Sequence, residues 1–378
     1  MTGDRLYFGL AIALVAFCAA SPCPGEVVVG AYYYPWYGPF AGGHDLNQSV
    51  RGHLVPPQPP AIGAYSSRDP KTISAHIDQS HWGNISFWAV SWWGPNSAED
   101  ATFRDAILAH PRHAELKYAV HYESTGRLGS IDNPDFTNLV PDFRHLANNY
   151  FANPSYLRVD GRPVVFMYVT RAYFNSQAAR DAVAELRTLM KSKFQLNPYL
   201  VGDDLFIGGV DRGRAKLWDA ITDFDVYGTV LQQKGSTAAA LVELAKVYDD
   251  ARAAIAPLGI AFVPTASPGF NDKGVRGGHP AAPRYLVDGP KSRPGDLFAR
   301  MLTNVAVPRT DPAAGNILMI NSFNEWHEDT QIEASGIAPP TNVDDSGKDR
   351  FTEGHYYEGY GEKYLKILRA ATVRSPDN

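Results

Sequence analysis

Short apolar runs alternate with amphipathic stretches along almost the whole chain. The runs fall at 27–34, 85–93, 116–122, 163–169, 199–203, 220–227, 260–265 and 316–322 and are rich in Val, Ile, Phe and Tyr. Many lack the polar alternation of a half-exposed strand, which is the pattern of strands covered on both faces. Between them, 71–82, 99–109, 136–151, 176–192, 237–256 and 295–305 read as helices, and a last helix is expected at 357–371. Strand and helix in this alternation predict one α/β domain, a (β/α)8 barrel over 26–371. A doubly wound open sheet is the next choice, but no Gly-x-Gly-x-x-Gly turn follows the first run.

The barrel makes a demand on position. Functional residues of such barrels sit just past the C-terminal ends of the strands, on the loops there. Those ends deliver Tyr34, Trp36, Trp92, Trp93, His121, Glu123, Tyr168, Asp203, Asp225, Tyr227 and the segment Asn324-Glu325-Trp326-His327-Glu328. Aromatic and carboxylate side chains thus gather at one rim. The loops 38–70, 266–293 and 329–354 are long and rich in Gly and Pro, as binding loops are. Rings on such a rim suit the flat faces of sugars, so a carbohydrate is the expected partner.

Composition narrows the choice. The 378 residues carry a formal charge of -5, and Lys and Arg are scattered, so nucleic acid is not an expected partner. The aromatic content is high, with 20 Tyr, 18 Phe and 7 Trp, although cores consume rings as well. At the N-terminus a run from Leu6 to Ala20 ends in small residues, the pattern of a signal peptide over about residues 1–23. It is shorter than a membrane-spanning helix requires. Secretion or export to a periplasm is therefore expected, with a lipid or membrane anchor the lesser alternative. Both cysteines, Cys18 and Cys23, fall in this leader, which leaves the folded part without a thiolate or a disulfide.

Two glutamates stand out for chemistry. Glycoside hydrolysis ordinarily uses two carboxyl groups, one protonated to meet the leaving oxygen and one acting as base or nucleophile. Glu325 and Glu328 are spaced i, i+3, so a helical turn would set both on one face of one cavity. Two such neighbours also drive their proton affinities apart. A solvated turn would show the same spacing, and it is the position after an apolar strand that favours the active-site reading. His327 between them belongs to no His-Glu-x-x-His, and the other histidines are scattered, so neither metal nor other cofactor is expected. No Gly-x-Ser-x-Gly turn supports a serine hydrolase.

Four motifs carry a likeness to a known family. Tyr33-Tyr34-Pro35-Trp36-Tyr37-Gly38, Ser91-Trp92-Trp93-Gly94-Pro95, Gly161-Arg162-Pro163-Val164-Val165-Phe166-Met167-Tyr168 and the stretch from Asn324 to Glu333 resemble, in the same order, glycoside hydrolase family 99. The resemblance implies a retaining endo-glycosidase on a (β/α)8 barrel that works without metal on α-mannosidic or other 1,2-trans linkages. It implies Glu325 as the base that deprotonates the sugar's own 2-hydroxyl and Glu328 as acid/base, through a 1,2-anhydro sugar. Glu123 would bind sugar hydroxyls. Tyr34, Tyr168 and Tyr227 would bond the glutamates or the sugar, Trp36, Trp92 and Trp93 would stack on it, and His121, Asn324 and Trp326 complete the expected site. The chain departs from the family at Ser124-Thr125, where Pro and an aromatic residue are usual, and at Asp329, where Gly is common. A glycosyltransferase-like assembly protein and a silent sugar-binding protein are the rival readings. The leader argues against the first and the two retained glutamates against the second.

Overall fold

The structure, a computed structural model, describes residues 25–373. The expected leader lies outside these residues. Nine parallel strands form the barrel wall: β1 Val28–Tyr33, β2 Phe87–Trp92, β3 Lys117–Tyr122, β4 Arg162–Met167, β5 Tyr199–Asp203, β6 Ala220–Thr222, β7 Ala261–Val263, β8 Thr265–Ala266 and β9 Ile317–Ile320. Each pairs with its predecessor in sequence, β7 with β6 included, except that β8 pairs with β9 and not with β7. Pro264 separates β7 from β8. Having no N–H to give a ladder, it still offers its carbonyl, which accepts the Met319 N–H at 2.9 Å. The expected run 260–265 is therefore one stave broken at a proline, and the ring closes through it. β9 also pairs with β1, so the wall is the expected (β/α)8 barrel.

Side-chain parity sorts the wall into two cores. On β2, Phe87 and Ala89 face the barrel interior with Tyr32, Tyr34, Phe166 and Met319. Trp88, Val90 and Trp92, one residue out of step, face the helices with Ile73, Ile77 and Phe103. Successive strand residues point to opposite faces, and here both faces are covered, which is why the runs look uniformly apolar.

The helices start where their sequences say. Asp69 accepts the Lys71 N–H ahead of Pro70–Trp82, which has proline in its first turn. Ser176 and Thr237 cap Gln177–Leu189 and Ala238–Ile255 in the same way. Two expectations need correction. The run 220–227 is strand only to Thr222, because Tyr227–Leu231 turns into a wide π-helical segment. The segment expected to open the last helix is instead a strand, Tyr357–Tyr360, antiparallel to Ile337–Thr341. The helix itself is Lys363–Thr372. Among the described residues no helix is long and apolar enough to cross a membrane.

Candidate active site

The two glutamates stand at the C-terminal end of β9, as the barrel requires. Glu325 caps a single 3₁₀ turn, Trp326–Glu328, and its carboxylate accepts the His327 N–H at 2.9 Å. In a 3₁₀ turn residues three apart eclipse one another, so the i, i+3 spacing does place both carboxyls over one cavity. The base of the turn is held by Ser322, whose hydroxyl accepts the Glu325 N–H at 2.8 Å. Asn324 works from the other side. Its amide accepts the Tyr34 N–H and donates to the Tyr34 carbonyl, at 2.8 and 3.0 Å, tying the β9 loop to the end of β1.

A cavity of about 530 Å³ opens over the turn. Glu325 and Glu328 form one wall, and Tyr34, Trp36, Trp93, Glu123 and Tyr168 form much of the rest. Trp36 stacks on His44 with ring centroids 4.5 Å apart. Glu123 is buried and accepts the Ser91 hydroxyl at 2.7 Å, while Ser91 accepts the Trp93 indole N–H at 3.0 Å. A second cavity of about 140 Å³ adjoins it and shares Tyr168, Phe224, Arg276 and Glu328 with it. Tyr227 lines this second space, its ring on Phe270 and its hydroxyl donating to the Pro280 carbonyl at 2.6 Å. A larger cavity of about 820 Å³ under the 38–72 loop contains neither glutamate.

Four residues of the expected site lie out of reach of these cavities, and Asn324, fully buried in its bonds to Tyr34, is one of them. Trp92 is fully buried among the helices, its indole N–H donating to Asp100 at 2.7 Å. Parity on β2 puts it there, since Ser91 and Trp93 take the inner side. Trp326 is buried as well, and its indole N–H donates to Glu333 at 2.7 Å. Glu333 also binds His76 and Tyr65, each at 3.0 Å, so this end of the motif builds the support of the turn. His121 lies one layer below the cavity between Tyr32, Tyr168 and Phe224, with its ring proton affinity lowered to about 3 by burial.

The electrostatics follow from burial. Glu325 is raised well above the ordinary carboxylate range by loss of solvent, with the Glu328 charge adding to it. Glu328 is raised by burial too, but Arg276 pulls the other way through charge and a hydrogen bond. Burial takes Glu123 up to about 8, against the pull of the Ser91 bond. Tyr34 and Tyr168 are raised well above their usual value, first by burial and then by the surrounding glutamates, so both hold their protons as donors.

Tyr37 and Arg276 were not among the expected residues. Tyr37 had a signal, since it sits in the first motif. Arg276 had none beyond its place on a long Gly-rich loop. The two departures from the family pattern part company here. Thr125 lines the cavity. Asp329 turns away from it, with φ at 49° and its carboxylate held between Arg51 at 2.5 Å and Arg284 at 3.0 Å. A left-handed residue is where Gly is normally at home. Asp can occupy it, and here its side chain is locked by two guanidinium groups. Among the described residues no group of three or more His, Cys, Asp or Glu could hold a metal ion.

A barrel with two carboxyls and a ring of aromatics on its C-terminal rim is the layout of a carbohydrate-cleaving enzyme. The comparison with known proteins gives that class a family. The sequence model of Glycosyl hydrolase family 99 matches residues 39–358, and the chain belongs to that family of glycosidases. It is 27% identical over 341 residues to the glycoprotein endo-alpha-1,2-mannosidase of Mus musculus, spanning 82% of this chain and 68% of that one. The Xenopus laevis enzyme of the same name is 26% identical over 335 residues, spanning 80% and 69%. Among solved structures, a glycoside hydrolase-like protein shares the fold with a TM-score of 0.62 at 18% identity, covering 94% and 98% of the two chains. The GH99 endo-alpha-mannosidase from Bacteroides thetaiotaomicron does so with a TM-score of 0.58 at 19% identity, covering 91% and 95%.

Proposed function

We propose that this glycosidase cleaves α-mannosidic bonds within a glycan and retains the anomeric configuration, with Glu325 and Glu328 as its catalytic pair. The observation that carries the reading is their side-by-side placement on one capped turn at the wall of an aromatic-lined cavity. Mannose suits the pair on stereochemical grounds. In an α-mannoside O2 and the leaving oxygen are both axial and on opposite faces, so O2 can attack C1 in line.

In the first step Glu325 takes the proton of the 2-hydroxyl and O2 bonds to C1. The bond from C1 to the leaving oxygen breaks, and Glu328 gives that oxygen its proton. The product is a 1,2-anhydro sugar. Water then adds to C1, giving its proton to Glu328, while Glu325 returns a proton to O2. Net retention follows from two inversions at C1. Trp36 and Trp93 offer faces for the rings, Glu123 and Tyr34 offer polar contacts to hydroxyls, and Thr125 enlarges the space where the family's aromatic residue would stand.

The test is product analysis on a panel of α-mannan, N-glycan and other α-linked polysaccharides. Release of oligosaccharides of more than one unit, with the α-anomer first seen by proton NMR, is the expected result. Turnover of a 2-deoxy or 2-fluoro substrate at the normal rate would overturn the O2 pathway, and release of β-anomer would overturn retention.

A further inference from the structure

The acid/base pair proposed above meets an obstacle. Arg276 Nη2 stands 2.5 Å from Glu328 Oε1. A guanidinium on one carboxylate oxygen favours the ionised form, and a glutamate held ionised has no proton to present to a leaving oxygen. The charges around the pair do not remove the difficulty. From its own loop Arg276 meets Asp272, at 3.1 Å from Nε, and Asp272 also holds His279 at 2.7 Å. From the loop after β6 comes Asp225, whose charge raises Glu328, and from just past β3 comes Glu123, which burial takes up to about 8. His327 on the β9 turn is lowered by burial, so it adds no cation beside Glu328. Arg276 is thus the cation placed to neutralise Glu328, and Glu325 is the member of the pair left to carry a proton.

The construction of the loop separates a fixed part from a free one. Asn271 is anchored, its N–H donating to the Glu328 carbonyl at 2.7 Å and its amide to Tyr357 and Phe351. Gly274 passes so close to the 38–53 loop that a Cβ there would stand 1.9 Å from the Gln48 carbonyl. Between these fixed points and solvent, the Arg276 side chain is 52% exposed. Its guanidinium can swing away without opening a packed surface, and Asp272 remains within reach to hold it. It also lines both cavities at their junction, beside the glutamate that must face the leaving sugar.

We propose that Arg276 is a substrate-displaced counter-ion, holding Glu328 ionised until the sugar on the leaving side pushes the guanidinium off and the proton of the pair passes from Glu325 to Glu328. The pair holds one proton throughout, and the exchange sets the base and the acid in their working forms only when a glycan spans the junction. Arg276 is a positioning residue in this scheme and not a catalytic one. The proposal rests on the acid/base roles given above.

The experiment compares wild type, Arg276→Gln and Arg276→Lys on an unactivated α-linked manno-oligosaccharide, with Glu328→Gln as reference. The profile of kcat/KM against pH reports groups of the free enzyme, and that of kcat reports groups of the bound complex. In wild type the alkaline limb of kcat/KM should lie below that of kcat. Arg276→Gln should move the kcat/KM limb up by about one pH unit, roughly tenfold in proton affinity, and leave the kcat limb in place. Arg276→Lys should restore the gap. No movement, or equal movement of both limbs, overturns the counter-ion role. A second measurement needs no change at Arg276: the Glu328 carboxyl, assigned in 13C-Glu-labelled protein by its loss in Glu328→Gln, should titrate at higher pH with mannobiose bound, and an unchanged titration overturns the proposal. If Glu328→Gln keeps wild-type turnover, the acid/base reading itself has failed, a result separate from any outcome at Arg276.

Discussion

The Tyr37 hydroxyl bridges two neighbours at the start of the glutamate turn: it accepts the Trp326 N–H at 3.0 Å and donates to Glu325 Oε1 at 3.3 Å. One buried side chain from the β1 loop thus satisfies the backbone of the turn and touches the proposed base. Tyr37→Phe should leave the Trp326 N–H with the Asn324 carbonyl, at 3.0 Å, as its one remaining acceptor and destabilise the protein by about 0.5–1.5 kcal/mol. Glu325 would lose a bond that favours its charged form, so the acid limb of kcat, which reports the bound complex where Glu325 is the base, should move to higher pH. Thermal unfolding and a pH–rate series read the two effects separately. A variant with normal stability and an unmoved limb would show that the bridge has no function.

Glu325 and Glu328 should respond differently to the leaving group. Removing a general acid or base ordinarily costs about 10²–10⁴ in rate. Glu328→Gln should lose that much on a sugar leaving group and far less on an activated aryl glycoside, whose leaving oxygen needs no proton. Glu325→Gln should lose about the same on both, because either leaving group requires attack by O2. Steady-state rates on the two substrates make the comparison, and the reverse pattern would exchange the roles.

Asp329 is held below the ordinary carboxylate range, burial opposing and Arg284 and Arg51 prevailing. A depressed acid stabilises the fold above its unfolded value of about 3.9 and loses that contribution as pH falls through the folded value. Asp329→Asn tolerates the left-handed backbone but leaves two buried guanidinium groups without their anion, a change that typically costs about 3–5 kcal/mol. Denaturant titrations should show that loss at pH 7 and a difference between the proteins that shrinks as pH falls through the depressed folded value. Asp329→Gly, the residue the family favours, should be no better than Asn for the same reason.

Trp92 and Trp93 are neighbours with separate tasks. Trp92→Ala removes a ring from the helix-facing core and should cost about 3–5 kcal/mol of stability. Trp93→Ala should leave the melting temperature nearly unchanged and raise KM for the glycan. Calorimetry and steady-state kinetics on the pair decide it, and a raised KM without lost stability in Trp92→Ala would put Trp92 back at the sugar.

The separation of those two tryptophans was open to reading in the sequence. Phe87 and Ala89 alternate with Trp88 and Val90, and continuing the alternation places Ser91 and Trp93 inside and Trp92 outside. The apolar runs likewise located every stave, Tyr199–Asp203 to the residue. They misjudged ends where local composition misleads. Val226 and Tyr227 look like strand but follow a break at Asp223, and Tyr357–Tyr360 looks like a helix start until Ile337–Thr341 is seen beside it.

Strand order, the rim proposed to bear the chemistry and the glutamate pair were all carried by local pattern, because alternation, strand ends and an i, i+3 spacing are properties of nearby residues. Which groups surround that pair was settled only by the folded chain. Tyr37 reaches Glu325 across 288 positions, Arg276 reaches Glu328 across 52, and Arg51 reaches Asp329 across 278. Contacts of that separation depend on how loops of irregular length close over the barrel mouth, and no periodicity in the sequence encodes them. The glutamates were legible as a pair, whereas the charge each one holds depends on neighbours that only the tertiary structure supplies.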